Sequence, residues 1–252
     1  MKKDHYEDFA SEWAQRMRDG KNIVHEYLIK PALFDAIGDI KDKIVLCVGC
    51  GSGEECQKML ELGAKKVVGI DLSPALIDIA KKSYPEIDFF VADMEEMEFN
   101  IPFDLIVSNL TMHYVPSWTK TLQKMKKALK ENGEIIISTN HPVRFGSEIK
   151  REQEREIFLL GYIRYIQNGL TGDVIGDYLG ERKIEDSWFR GRFKVEYYHR
   201  PISSIINEIL KNGLQIKEFI EPVPPAWVAE KEKSFYHIHT KIPLFMIFRL
   251  TL

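Results

Sequence analysis

Ile44-Val45-Leu46-Cys47-Val48-Gly49-Cys50-Gly51-Ser52-Gly53 decides the fold. Five apolar residues in a row read as a strand buried on both faces, the signature of a parallel sheet. The run ends in Gly49, Gly51 and Gly53. Closely spaced glycines let the backbone turn sharply and approach a ligand with no Cβ in the way. A dinucleotide fingerprint asks for glycine at positions one, three and six, and the sixth position here is Glu54, followed by Glu55. A pyrophosphate would meet two carboxylates where it needs bare N–H groups. The same acids suit a cationic ligand.

Working outward, further short apolar runs follow at Lys66 to Asp71, Ile87 to Val91, Phe103 to Val107 and Glu134 to Ser138. Helical stretches lie between them at about 54–62, 74–82 and 117–129. Ser73 before Pro74 predicts an N-cap with proline at the first helical position. Asn132-Gly133 predicts a helix stop. A helix at about 202–212 and strands at about 214–220 and 244–250 complete the pattern, with Pro222 to Ala226 as a rigid connector. Strands alternating with helices predict an α/β, doubly wound, seven-stranded and mostly parallel sheet. Ligands of such sheets sit beyond the carboxyl ends of the strands, where the winding reverses. Asp71, 18 residues after Gly53, ends the second strand, and Asp93 follows the third. A carboxylate at Asp71 can accept both hydroxyls of a ribose, and one at Asp93 can meet an adenine amino group.

Two segments stand outside the alternation. Residues 1–43 read as an amphipathic helical lid, with Phe9, Trp13 and Met17 on one face, then Ile23, Tyr27 and Leu28, then a short helix from Pro31 to Ile37. Residues 141–200 hold 10 of the chain's 28 aromatic residues, with 11 basic against 10 acidic side chains. This composition predicts an aromatic insertion over the ligand site rather than a basic surface. The 252 residues therefore divide into one domain: a lid (1–43), a cofactor-binding core (44–140), an acceptor-covering insertion (141–200) and a C-terminal part (201–252). A net charge of −3 gives no electrostatic footprint for double-stranded nucleic acid. No apolar run is long enough to span a membrane. The charged N-terminus lacks the apolar stretch of a secretory signal. Three cysteines, an odd number, point to a reducing cytoplasm.

With these residues in place, the chain resembles the class I S-adenosylmethionine-dependent methyltransferases. Val45 to Gly53, Val68-Gly69-Ile70-Asp71-Leu72-Ser73 and Val91-Ala92-Asp93-Met94 look like that family's successive motifs. Ser108 to Val115 looks like its fourth-strand segment and Asn132 to Ser138 like its fifth. Residues 199–250 are similar to small-molecule methyltransferases with a His-Arg-Pro helix start and a late Glu-Pro pair, here His199-Arg200-Pro201 and Glu221-Pro222. The resemblance implies S-adenosylmethionine as cofactor and S-adenosylhomocysteine as product. It implies Gly49, Cys50, Gly51 and Gly53 around the cofactor, Asp71 on the ribose, Leu72, Asp93 and Met94 about the adenine, and Asn109 on the fourth-strand side. One departure stands out. The family carries an acid two residues before the first glycine, and this chain has Cys47. Glu54 or Glu55 is the expected substitute.

Methyl transfer by in-line displacement from a sulfonium asks the protein to align the acceptor and exclude water, with a base where the acceptor is protonated. His113 and His199 are the expected catalytic groups, with His141 a lesser candidate. The acceptor is expected to be a small organic molecule held between the lid and the insertion, touching Tyr162, Tyr165, Tyr178, Trp188, Tyr197 or Tyr198. Cys47 and Cys50 form a C-x-x-C, but no second pair follows, so no metal is expected. The fourth-strand segment Ser108-Asn109-Leu110-Thr111 lacks the Asp/Asn-Pro-Pro-Tyr of nucleobase amino methyltransferases. The expectation is no nucleic-acid or membrane partner, and a monomer or homodimer. Three rivals stay open: a methyltransferase of nucleic acid or protein, a non-catalytic S-adenosylmethionine-binding module, and an NAD-dependent dehydrogenase.

Overall fold

A computed structural model describes residues 6–152, 155–165, 171–188 and 191–252. The lid begins with helix α1 (Ala10–Arg18), and a π-helical segment (His25–Ile29) runs straight into α2 (Lys30–Ile37). The core then alternates β1 (Ile44–Val48), α3 (Glu54–Glu61), β2 (Lys66–Asp71), α4 (Pro74–Ser83), β3 (Asp88–Val91), β4 (Phe103–Asn109), α5 (Thr119–Ala128) and β5 (Leu129–Asn140). The insertion holds a single helical turn, α6 (Pro142–Phe145), and three antiparallel hairpins. These pair β6 (Glu148–Glu152) with β7 (Arg155–Leu159), β8 (Gly161–Tyr165) with β9 (Thr171–Ile175), and β10 (Arg182–Trp188) with β11 (Phe193–His199). The chain ends with α7 (Ile202–Lys211), β12 (Gln215–Ile220), α8 (Val228–Lys231), α9 (Lys233–His239) and β13 (Phe245–Thr251).

The main sheet has seven strands in the order β12-β13-β5-β4-β1-β2-β3. β1 pairs in parallel with both β2 and β4, β2 with β3, and β4 with β5; β13 runs antiparallel to β5 and β12. The chain winds from β1 outward to β3, then returns to β4 on the other side. The reversal therefore falls between β1 and β4, where the glycine turn leaves β1.

The apolar run of β1 is explained by burial on both faces. Val45 and Cys47 join the core formed with Leu33, Met59 and Ile77 from α2, α3 and α4. Leu46 and Val48 join the opposite core, formed with Leu122, Met125 and Ile209 from α5 and α7. Each fully buried aliphatic side chain of this kind contributes roughly 1.5–3 kcal/mol. The α4 start is as predicted: the Leu76 amide donates to Ser73 Oγ at 3.2 Å, with Pro74 at the first helical position. A cap of this sort is worth about 1 kcal/mol.

Two details differ from the sequence reading. Asn132-Gly133 does not stop a helix. α5 ends at Ala128, and both residues lie inside the extended run Leu129–Asn140. Leu129 is buried in the same core as Phe103 and pairs with it, and the register then jumps to Leu105 opposite Glu134. Burial of Leu129 draws the chain into the sheet before the turn signal acts. The second difference is α8 and α9, which lie in a stretch read as unassigned. They are too short for a helical period to register in sequence, yet Val228 and Phe235 are buried in the core. Among the described residues no helix is long and apolar enough to cross a membrane.

Candidate active site

The glycine turn is built on left-handed backbone. Gly49, Gly51 and Gly53 have φ of 73°, 55° and 92°, conformations that cost a residue with a Cβ about 1–2 kcal/mol. Their surroundings differ. A Cβ at Gly49 would stand 2.2 Å from Thr111 Oγ1, and one at Gly53 2.8 Å from the Phe89 ring, whereas one at Gly51 would meet open space. The Gly49 and Cys50 amides both donate to the Ile70 carbonyl, at 2.8 and 2.9 Å. The Gly51 amide donates to Asp71 Oδ2 at 2.9 Å, and the Ser73 amide to Asp71 Oδ1 at 3.0 Å. Asp71 thus fastens the turn after β1 to the end of β2.

Above this turn lies a cavity of about 770 Å³. Gly49, Cys50, Gly51, Asp71, Leu72, Asp93, Met94, Asn109 and His113 all line it. Gly53 does not: its glycine is required by the φ and by Phe89. Asp93 Oδ1 accepts the Glu95 amide at 2.9 Å, and Asn109 Oδ1 accepts the Ser138 hydroxyl at 2.6 Å, which orients both side chains. Beside Asn109, Leu110 has φ of 51°. A left-handed leucine at a strand end is strained, and such strain clusters at functional sites.

The lid and the insertion both wall the cavity. Tyr6, Trp13, Arg16 and Met17 line it from the N-terminal side, and Arg144, Phe145 and Tyr198 from the insertion. The two are fastened together. Tyr6 and Phe9 pack on Phe193 with ring centroids 5.0 and 5.1 Å apart, and Arg192 forks onto Glu12 at 2.9 and 3.1 Å. The Tyr6 and Tyr114 hydroxyls are 2.8 Å apart. Glu7 Oε2 accepts the Ser73 hydroxyl at 2.7 Å and the Ala75 amide at 3.1 Å, tying the lid to α4. Arg16, Tyr114 and Arg144 were not singled out in the sequence. The Trp13–Met17 helix face is the local signal for this N-terminal wall. Nothing local marks Arg144, which reaches the site only because α6 follows β5.

The three histidines have separate surroundings. His113 lines the cavity, is buried, and sits 3.4 Å from Thr139 Oγ1 through Nδ1. Burial pushes its pKa down to about 3, so it is neutral at pH 7. His141 caps α6, with Nδ1 accepting the Val143 amide at 3.2 Å and Nε2 lying 2.9 Å from Glu221 Oε1. His199 lies outside the cavity lining. Its Nε2 is 2.9 Å from the Tyr178 carbonyl, in a small crevice behind His113. Of the expected acceptor contacts, Tyr198 lines the cavity. Tyr197 packs against Phe145 and the Tyr178 hydroxyl accepts the Ile202 amide, both outside the lining. The side chains of Tyr162, Tyr165 and Trp188 lie outside the described part of the structure.

All three cysteines are free and buried. Hydrogen bonding with Cys56 and burial raise the Cys47 thiol, and burial pushes Cys50 up to about 11. Protonated thiols are poor nucleophiles. Among the described residues no group of three or more His, Cys, Asp or Glu side chains is placed to hold a metal.

Comparison with known proteins agrees with this geometry. Residues 45–133 match the family model described as a methyltransferase domain. A relative in Haemophilus influenzae is 28% identical over 92% of this chain and 91% of its own length. A trans-aconitate 2-methyltransferase of an Enterobacter is 28% identical over 71% of this chain and 70% of its own. A tRNA U34 carboxymethyltransferase of Cellvibrio japonicus is 31% identical over 41% of this chain and 34% of its own. The crystal structure of an S-adenosylmethionine-dependent methyltransferase from Mesorhizobium loti superposes with a TM-score of 0.72, covering 87% of this chain and 95% of that one at 23% identity. At that identity the likeness establishes the fold. Residues 45–133 thus match a methyltransferase domain, and the chain has the fold of the S-adenosylmethionine-dependent methyltransferases.

Proposed function

We propose that this protein methylates a small organic acceptor. The observation that carries the reading is the cavity, which lies at the switch point and is walled on both sides by lid and insertion. Its acceptor side presents Tyr114, Phe145 and Tyr198, an aromatic lining suited to a small molecule rather than a duplex. The similarity to a trans-aconitate methyltransferase supports the same reading.

The residues present fit the cofactor. The left-handed Gly51 leaves open space for it, and acidic side chains line the wall, complementing a cation. Asp71 would hold the ribose hydroxyls, Leu72, Asp93 and Met94 the adenine, and Asn109 the fourth-strand side. When bound, the cofactor supplies a methyl group on a sulfonium, open to attack in line with the departing sulfur. The chain's own task is alignment and exclusion of water by Trp13, Met17 and Phe145.

Of the three candidate histidines, His113 alone lines this cavity, and its low pKa makes it a weak base. That supports an acceptor atom that already bears a free lone pair at neutral pH, a carboxylate oxygen first among them. His113 then orients the acceptor rather than deprotonating it. The three free cysteines fit a reducing cytoplasm.

The test has two stages. Calorimetry with S-adenosylmethionine and NAD establishes the ligand, and micromolar binding of the first alone is expected. A mass-spectrometric screen for added methyl groups then compares small carboxylic acids, amines and phenols with tRNA and with protein extract. Methylation of tRNA or protein alone would overturn the small-molecule reading. Binding without turnover of any acceptor would favour a cofactor-binding module.

A further inference from the structure

Five acids line the cavity: Glu54, Glu55, Asp71, Asp93 and Glu196. Four of them have partners. Glu54 accepts the Ser52 hydroxyl at 2.6 Å and Arg18 at 3.3 Å. Asp71 takes the Gly51 and Ser73 amides, and Asp93 the Glu95 amide. Glu196 pairs with Lys183 at 3.5 Å. Glu55 differs. Its Oε1 is buried and has no hydrogen-bond partner among the described residues.

A buried carboxylate oxygen without a donor is expensive to maintain. Burial accordingly pushes the Glu55 carboxyl up, with Lys30 pulling the other way. His25 lines the same cavity, and its Nδ1 is also buried without a partner among the described residues. Cys47, which also lines the cavity, carries a protonated thiol and no charge. Two orphaned polar atoms facing one cavity indicate a ligand group that satisfies them.

The cofactor has such a group. Beyond its sulfonium it carries the ammonium and carboxylate of a methionine. With the ribose at Asp71 and the adenine beside Met94, the methionine portion is left for the side of the glycine turn, and Glu55 stands two residues after Gly53. We propose that Glu55 receives the ammonium of the cofactor's methionine portion, the role that Cys47 cannot fill, and that His25 offers a second polar atom to the same group. The inference rests on the cofactor reading above. It assigns Glu55 rather than Glu54, because Glu54 is already engaged.

The test is calorimetry with two ligands, S-adenosylhomocysteine and 5′-methylthioadenosine, which lacks the aminoacyl portion. Glu55→Gln is expected to weaken S-adenosylhomocysteine by about ten-fold or more and to leave 5′-methylthioadenosine unchanged. Should the glutamine variant not fold, Glu55→Asp draws the charge back by one methylene and is expected to show the same selectivity. Unchanged S-adenosylhomocysteine binding would overturn the proposal. So would equal losses for both ligands, which would mark a merely structural role. If the wild-type chain bound neither ligand, the cofactor reading itself would fall, and this inference with it.

Discussion

The Asp71 carboxylate and the Gly51 amide lie 2.9 Å apart across the ends of two neighbouring strands. One side chain therefore shapes the glycine turn and presents acceptor lone pairs to the cavity. Asp71→Asn keeps the size but removes the charge and one acceptor. A hydrogen bond to a charged group is worth roughly 1.5–3 kcal/mol, so S-adenosylmethionine affinity is expected to fall about ten- to one-hundred-fold by calorimetry. Unchanged affinity would detach Asp71 from the ligand.

Gly49 and Gly51 separate folding from binding. Gly49→Ala combines a left-handed φ with a clash against Thr111. The expected cost in urea denaturation is about 2–4 kcal/mol, partly recovered by Thr111→Gly. Gly51→Ala has the φ penalty but open space. It should cost only about 1–2 kcal/mol while weakening the cofactor, because its methyl occupies ligand volume. Equal losses of stability in the two variants would contradict this division.

Arg200 supports the loop that carries His113 and Tyr114. Its guanidinium donates to the Val115 carbonyl at 2.6 Å and pairs with Glu208 at 2.7 Å, both side chains largely buried. Glu208 Oε1 in turn accepts the Thr119 amide at 2.9 Å at the start of α5. Arg200→Met leaves a buried carboxylate uncompensated, and a loss of about 3–5 kcal/mol is expected. A thermal melt within a degree of wild type would show the pair to be dispensable.

Acid sensitivity follows from His113. Its folded pKa of about 3 lies below the ordinary 6.5, so the unfolded chain binds more protons between these values. Its stabilising effect is complete above pH 6.5 and is lost as pH falls toward 3. His25, also pushed down to about 3, acts in the same direction. Replacing His113 with Gln should flatten the stability profile between those limits by about 1.4 kcal/mol per pH unit. Parallel profiles for variant and wild type would refute the assignment.

Glu7 fastens the first turn of the N-terminal segment to the start of α4, and Arg18, donating to Ser83 Oγ at 2.7 Å, fastens α1 to its end. Glu7→Ala removes the acceptor used by Ser73 and Ala75. Cofactor dissociation in stopped flow is expected to quicken several-fold, with a change in stability of about 1 kcal/mol or less. A large drop in stability with no kinetic change would make the Glu7 tie a purely structural one.

Much of this molecule was legible from local chemistry. The run from Ile44 to Gly53 specified a doubly buried strand and a left-handed turn, because only apolar side chains and glycines satisfy those two environments. Asp71 and Asp93 were legible because carboxylates at strand ends in a doubly wound sheet face the switch point. His199 was not: its sequence neighbours resemble a motif, but only packing places its ring behind the cavity, against the Tyr178 carbonyl. Asn132-Gly133 failed as a stop signal because burial of Leu129 overrode the turn propensity.

The sequence by itself determined the winding of the sheet, the turn and the acids around it. These depend on residue type and short-range spacing. The tertiary structure alone decided which polar atoms remain without partners. It left Glu55 Oε1 without a hydrogen-bond partner among the described residues while Ser52 and Arg18 occupied Glu54, and it joined Tyr6 to Tyr114, 108 positions away. Those outcomes depend on distances between segments remote in the chain, which no local pattern encodes.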